Sequence, residues 1–275
     1  MPPRLTVITP SYNQGAFIER TLRSVLDQGY PDLEYLVIDG GSTDDSVEII
    51  ERYADRLAWW TSESDDGQTD ALNKGLARAT GDIVTYVNSD DYYLPGAFDK
   101  AVSALEAHPE AEWAVGASRF VDADGGFIAT WQARPPGRHR HLWMLLPWSA
   151  PQPSSFWRRK VFEELGPFRR DMHYVFDTEF ALRLAYAGHR PAIVDDELAV
   201  RVVHPEAKSW DRTPFEREQE RFVELFGPSL TPYERARMQL SRAAMRAGVP
   251  RLTARASRAW RRAAGRPEKT WTAAE

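Results

Sequence analysis

The order of apolar and polar positions divides the first ninety residues into short strands and helices that alternate. Leu5-Thr6-Val7-Ile8-Thr9 reads as a strand broken by Pro10, and behind it Phe17, Ile18, Leu22, Val25 and Leu26 share one helical face. Leu33 to Ile38 is a second strand, followed by a helix with Val47, Ile50 and Tyr53 on its apolar side. Ala58-Trp59-Trp60-Thr61-Ser62 predicts a third strand, and Ala71, Leu72, Gly75, Leu76 and Ala79 predict a third helix. Gly81-Asp82 turns the chain into Val84-Thr85-Tyr86-Val87, a β-branched and aromatic run that reads as a buried strand. Such alternation with short links predicts a parallel sheet with right-handed crossovers.

The polar residues between these elements are not scattered. They cluster at Pro10 to Gln14, Asp39 to Asp44, Glu63 to Gly67 and Asn88 to Asp91, each at the carboxyl end of a strand. In an open α/β sheet that edge is where ligands bind. A single acidic turn is more often a helix cap, but four clusters on one rim mark a site.

The pattern loosens after Pro95. Phe98, Val102 and Leu105 fit a helix, Trp113 to Gly116 and Ser118 to Val121 read as strands, and Asp124-Gly125-Gly126 predicts a hairpin into Phe127-Ile128-Ala129-Thr130. Residues 134–153 are rich in Pro, Arg, His and Trp and have no period, and a loop of this length is usually functional or mobile. Gln152 to Trp157 leads into a helix at Arg159 to Leu165, and Val175-Phe176-Asp177 opens another with Leu182, Leu184 and Ala185 inward. Ile193-Val194 and Leu198 to Val203 read as strands, the second ending at His204. Two helical stripes close the chain: Tyr233, Ala236, Leu240 and Ala243 or Ala244 to Ala247, then Leu252, Ala256, Ala259, Trp260 and Ala263. The expected organisation is a body over 1–228, with halves 1–95 and 96–228, and a basic helical tail over 229–275.

Composition narrows the chemistry. The chain has 275 residues, 43% hydrophobic and 27% charged, and no cysteine, which excludes disulfides, thiolate catalysis and zinc–cysteine sites. No basic-then-apolar leader opens it and no apolar run approaches the roughly 20 residues that span a bilayer, so a cytoplasmic location is expected. The net charge of −5 conceals an asymmetry, with +8 from Pro232 onward and −13 before it. An acidic body is not the footprint of a nucleic-acid enzyme, and no nucleic-acid partner is expected. The basic tail with Trp260 suits an anionic surface at the inner face of a membrane, or a helix packed on the acidic body with its arginines solvated.

Asp90 and Asp91 close the opening rim without a neighbouring Lys or Arg, so they need a cation. Oxygen-rich pairs of this kind suit Mg²⁺ or Mn²⁺, which would in turn hold the phosphate oxygens of a nucleoside diphosphate. No G-x-G-x-x-G follows the first strand and no G-x-x-x-x-G-K-[ST] occurs, which disfavours a dinucleotide oxidoreductase or a P-loop NTPase.

From Leu5 to Ser209 the chain resembles family 2 of the glycosyltransferases, inverting enzymes with the GT-A fold. The markers are Thr9-Pro10-Ser11-Tyr12-Asn13, Asp39-Gly40-Gly41-Ser42-Thr43-Asp44, Glu63-Ser64-Asp65-Asp66-Gly67, Asp70-Ala71-Leu72-Asn73-Lys74-Gly75, Gly81-Asp82 and Asn88-Ser89-Asp90-Asp91. The resemblance implies an α/β fold, a Rossmann-like and mostly parallel central sheet flanked by helices. It implies a nucleotide-sugar site at Thr9, Pro10, Ser11, Tyr12, Asp39, Asp66, Asn73, Lys74, Asn88, Ser89 and Asp90. Asp39 and Asp66 would meet the nucleoside, and Lys74 the diphosphate. The ion, Mn²⁺ or Mg²⁺, would be held by Asp90, Asp91 and the late histidine His204. Asn88 stands where many relatives carry the first Asp of a D-x-D motif, which leaves the choice between Asp90 and Asp91 open.

Phe176 to Leu184 resembles the segment that carries the family's catalytic base, which makes Asp177 the candidate. Glu179, Gln152 and Trp157 are assigned to the acceptor side, with Trp143 and Trp148 as further candidates for stacking on a sugar. The implied reaction moves a sugar from a nucleoside diphosphate donor, UDP foremost, to a hydroxyl of a glycan or lipid-linked acceptor. The alternatives are a nucleotidyltransferase of related fold and a non-catalytic nucleotide- or carbohydrate-binding module. The first would favour a basic turn after the first strand, and Ser11-Tyr12-Asn13-Gln14-Gly15 has none.

Overall fold

The computed structural model describes residues 2–133, 151–208 and 213–246. Trp143, Trp148, Ser209 and the second tail stripe lie outside the described residues.

The first half alternates as its apolar pattern requires. Strands β1 (Leu5–Ser11), β2 (Leu33–Asp39), β3 (Trp59–Ser62) and β4 (Ile83–Tyr86) are parallel neighbours in the order β3-β2-β1-β4. Between them run α1 (Gly15–Leu26), α2 (Ser46–Glu51) and α3 (Gln68–Arg78). Every residue of β1 is buried, as expected of a central strand covered on both faces. Helix α1 buries Ile18, Thr21, Leu22 and Val25, a stripe at helical spacing. Gly75 lets α3 lie close on the sheet, since a Cβ there would stand 2.7 Å from Cγ2 of Ile8.

The second half supplies β5 (Tyr92–Tyr93), α4 (Ala97–Ala107), β6 (Trp113–Asp122), β7 (Phe127–Trp131), β8 (Ser155–Arg158), α5 (Lys160–Leu165), α6 (Phe176–Ala187) and β9 (Pro191–Val203). Helices α7 (Thr213–Phe226) and α8 (Pro232–Arg246) follow. The sheet continues β4-β8-β6-β9-β5, with β7 as a hairpin partner of β6. Strand β8 replaces the expected approach to a helix. It is antiparallel to both β4 and β6 and joins the two halves into one mixed sheet. A mostly parallel sheet is thus found in the first half, while β4–β8, β6–β8, β6–β7 and β5–β9 are antiparallel. Only four residues long and flanked by polar and basic residues, β8 offers too little periodicity to be read from sequence. Trp113 to Val121 forms one strand through Gly116, whose absent side chain makes room for Leu198 on β9.

Each face of the sheet carries an apolar layer. One face buries residues of α1, α2 and α4, among them Ile18, Leu22, Ile50, Phe98 and Leu105. The other buries Leu72 from α3, Val161 from α5, Phe180 and Leu184 from α6 and Phe222 from α7. A fully buried side chain of this size contributes about 1.5–3 kcal/mol. Phe156 and Trp157, adjacent on β8, point to opposite faces and belong to different layers. On α8 the stripe residues Tyr233 and Leu240 are 65% and 71% exposed. No helix among the described residues is long and apolar enough to cross a membrane.

Candidate active site

The four polar clusters meet along one cavity of about 630 Å³ at the carboxyl ends of β1, β2, β3 and β4, closed on the far side by residues of the second half. Pro10, Ser11 and Tyr12 contribute from β1, and Tyr12 is 60% exposed at the rim. Ser11 Oγ and Gln14 Oε1 are buried polar atoms on this wall with no partner among the described residues. The turn after β1 is held by the turn after β2. Asn13 N donates to Ser42 Oγ at 2.8 Å, Thr43 N to Asn13 Oδ1 at 2.8 Å and Gly15 N to Asp44 Oδ2 at 2.9 Å.

Asp39 shapes this wall. It is fully buried, and its carboxylate accepts from Gly41 N, Ser42 N, Ser42 Oγ and Ser62 Oγ at 3.1, 2.8, 2.5 and 2.7 Å. These bonds fold the Gly40-Gly41 turn that faces the cavity, while the Asp39 side chain itself lies outside the lining. The side chain of Thr9 is turned away, its Oγ1 2.9 Å from the Tyr35 hydroxyl. At the next turn Asp65 lines the cavity, whereas Asp66, the residue expected there, is exposed and outside the lining. Burial holds the Asp65 carboxyl above the ordinary carboxylate range. Its Oδ1 accepts from Gly67 N at 2.8 Å, and Gly67 itself has φ +100°, a backbone that favours glycine.

Two expected donor-side residues belong elsewhere. Lys74 pairs with Glu63 at 3.1 Å and Asp70 at 3.5 Å and does not line the cavity. Asn73 exchanges two hydrogen bonds with the backbone of Phe168, at 2.8 and 3.0 Å, and so pins α3 to the segment before α6.

Behind β4, Asn88, Ser89, Asp90 and Asp91 all line the cavity, but the two carboxylates face differently. Asp91 is 2% exposed, and its Oδ1 accepts from Val202 N on β9 at 3.0 Å. Burial, aided by the charge of Asp90, pushes its carboxyl well above the ordinary range. The Thr21 hydroxyl fixes the backbone from α1, 2.9 Å from Ser89 O and 2.6 Å from Asp91 O. Asp90 Oδ2 instead stands 3.1 Å from His204 Nε2. The His204 ring is buried against Phe17 at 4.4 Å between centroids, and its Nδ1 has no partner among the described residues.

An oxygen and an imidazole nitrogen 3.1 Å apart match two adjacent ligands of an octahedral ion, which at about 2.1–2.2 Å from the ion stand about 3 Å from each other. Among the described residues no third carboxylate or histidine completes a cluster of three. Asp90 is the member of the pair that lines the cavity, and an ion at its open edge would take its other ligands from phosphate and water, the habit of Mg²⁺ and Mn²⁺ at nucleotides.

The opposite wall is built by β6, β7, α6 and β9. Asp177 lies in the first turn of α6, where the helix N-terminus favours a carboxylate, and accepts from Thr178 N at 2.6 Å. Burial raises its carboxyl above the ordinary range, while the nearby Arg201 acts in the opposite direction. The approach to α6 is held from α7. Glu218 accepts from His173 N, Tyr174 N and Val175 N at 2.8, 2.7 and 3.2 Å. No sequence pattern signalled this clamp, because it joins residues more than forty positions apart on separate elements.

Gln152 lines this wall and donates to Tyr86 O at 2.8 Å. Trp157 does not: it is 5% exposed and packs among Tyr86, Phe162, Phe168 and Phe180 in the core. Glu179 is likewise withdrawn from the acceptor side, 2% exposed and bonded to Arg183 at 3.0 Å. Among the described residues the tryptophan that does reach the cavity is Trp131, stacked on Phe120 at 5.4 Å. Its position at the end of the β7 hairpin, just before the irregular loop, was the available signal.

Comparisons with known proteins give the family and the fold. The family model described as Glycosyl transferase family 2 matches residues 6–166. A glycosyltransferase of Mycobacterium tuberculosis, described as uncharacterized, is 33% identical over 197 residues, 66% of this chain and 69% of its own. Among solved structures, S. aureus TarS 1-349 in complex with UDP-GlcNAc superposes with TM-score 0.62 at 18% identity, covering 86% of this chain and 70% of that one. The chain spans 42% of the longer TarS structure. The mannosyltransferase PcManGT of Pyrobaculum calidifontis, in complex with GDP-Man and Mn²⁺, has TM-score 0.55 at 24% identity, covering 94% and 81%. At these identities the structural likeness shows the fold, the mixed α/β arrangement of the GT-A type.

Proposed function

The chain belongs to glycosyl transferase family 2, and from that premise we propose that it is an inverting, metal-dependent enzyme. It moves a sugar from a nucleoside diphosphate donor, a UDP-sugar, to a hydroxyl of a glycan or lipid-linked acceptor. The observation that carries this reading is the convergence on one cavity of Asp90, backed by the buried His204 at 3.1 Å, and, from the opposite wall, of Asp177.

In this reading the nucleoside lies against Pro10, Ser11, Tyr12 and the Gly40-Gly41 turn, with Asp65 rather than Asp66 at its edge. Asp90 and His204 would hold the ion, and Asp91 anchors the motif to β9. When bound, the ion offsets charge that develops on the departing diphosphate. Asp177 accepts the proton of the acceptor hydroxyl as its oxygen attacks the anomeric carbon. One base opposite the leaving group gives inversion, and burial makes that carboxylate a stronger base than it would be in water. Trp131 and Phe120 offer an aromatic wall on which an acceptor sugar can stack. The basic tail, with the exposed Tyr233 and Leu240 at its start, is proposed to seek an anionic membrane surface where a lipid-linked acceptor would be met.

A thermal-shift panel of UDP, GDP and dTDP and their sugars, with and without Mn²⁺, tests the reading. Stabilisation by UDP or a UDP-sugar that requires Mn²⁺ is expected. No metal-dependent stabilisation by any of them would count against it.

A further inference from the structure

The diphosphate of the donor together with Asp90 brings into this cavity more negative charge than one divalent ion offsets. Among the described residues two cationic side chains line the cavity, Arg201 and Lys208. Arg201 serves the base side, where its charge acts on both Asp177 and Asp91. Lys208 is placed differently. Its ammonium donates to Gln68 Oε1 at 3.1 Å and to the His173 carbonyl, and it stands 5.1 and 6.0 Å over the rings of Tyr174 and Phe176. Among the described residues its close partners are an amide, a carbonyl and two aromatic faces. The carboxylates of Glu218 and Asp177 act on it through longer-range charge.

Gln68 passes this contact to the metal motif, since its Nε2 donates to Asn88 Oδ1 at 2.6 Å. The ammonium is thus tied to the donor half through Gln68 and Asn88 and to the acceptor half through His173. We propose that Lys208 is the cation that receives the diphosphate of the donor, held ready by Gln68 and the His173 carbonyl and transferred to a phosphate oxygen when the nucleotide enters. The inference rests on the nucleotide-sugar reading above and names the residue that meets its leaving group. Neutral partners satisfy the hydrogen-bonding of an ammonium but not its charge, and a phosphate oxygen satisfies both. Removal of water from the ammonium, opposed by Glu218 and Asp177, lowers it to about 8.

The test is calorimetric titration of the full chain with UDP in the presence of Mn²⁺, for the wild type and for Lys208→Met, Lys208→Gln and Lys208→Arg. Thermal midpoints establish that each variant is folded. Lys208→Met and Lys208→Gln are expected to bind UDP at least about five-fold more weakly, and Lys208→Arg to stay within about three-fold of the wild type. Less than a five-fold loss in Lys208→Met overturns the assignment. So does wild-type affinity in Lys208→Gln, which keeps a donor for the bridge but not the charge. If the wild type itself fails to bind UDP, the donor reading falls and the assignment with it. Loss confined to the uncharged variants leaves that reading intact and supports the role.

Discussion

His204 Nε2 stands 3.1 Å from Asp90 Oδ2 across 114 positions of the chain. The contact forms because β9 ends beside the turn after β4, and Val202 N, two residues before the histidine, donates to Asp91. One aspartate of the pair therefore secures the strand, and the other meets the imidazole that the strand delivers. The adjacent carboxylates divide their work by side-chain direction: burial pushes Asp91 well up, while Asp90 keeps an open edge.

For Asp177, Asp177→Asn is expected to lower the transfer rate by roughly 10²–10⁴-fold and to leave UDP affinity within about two-fold. Burial raises the Asp177 carboxyl, so the ionised base is lost as pH falls through a range above the usual carboxylate value of about 4. The acid limb of kcat should lie above that value in the wild type. Retention of most activity by Asp177→Asn would remove it from the mechanism.

Glu218 clamps three successive N–H groups ahead of α6. Glu218→Ala leaves those donors without their charged acceptor and is expected to cost about 1–3 kcal/mol in stability. It should also lower kcat, since the turn that presents Asp177 loosens. Chemical denaturation and steady-state rates measure both effects, and an unchanged kcat would confine Glu218 to stability.

Phe180 is fully buried and packs face to face on Phe162 at 4.6 Å. Phe180→Ala should destabilise the fold by about 3–5 kcal/mol, measured by denaturant unfolding. A cost under about 1 kcal/mol would mean that this aromatic layer repacks freely.

The tail prediction concerns association alone. Liposomes containing anionic lipid should retain the full chain better than a chain ending at Thr231, and less so as salt is raised. Equal retention would remove the membrane role.

The sequence made the rim legible because each strand of the first half is short, apolar and followed at once by polar residues. That pattern located Pro10, Ser11, Tyr12 and Asn88 to Asp91, which all line the cavity. It could not tell side-chain direction. Asp65 and Asp66 are adjacent and alike in chemistry, yet only the first lines the cavity. Trp157 looked like a sugar platform because a tryptophan beside an irregular loop has no face assigned to it; once β8 is recognised, alternation sends it to the core. Lys74 and Asn73 carried the right chemistry on the right helix but are engaged by Glu63, Asp70 and Phe168. Long-range pairings such as Glu218 with residues 173–175 leave no local pattern to read.

Asp90 and His204 are proposed to hold the ion through which the diphosphate binds. Calorimetric titration with UDP, with Mn²⁺ and with a chelator, tests it on the wild type, Asp90→Asn and Asp91→Asn. Mn²⁺ should strengthen UDP binding by about ten-fold or more in the wild type. That gain should be lost in Asp90→Asn and largely kept in Asp91→Asn, whose amide oxygen can still accept from Val202 N. Equal UDP affinity with Mn²⁺ and with chelator in the wild type, or an undiminished gain in Asp90→Asn, would contradict the account.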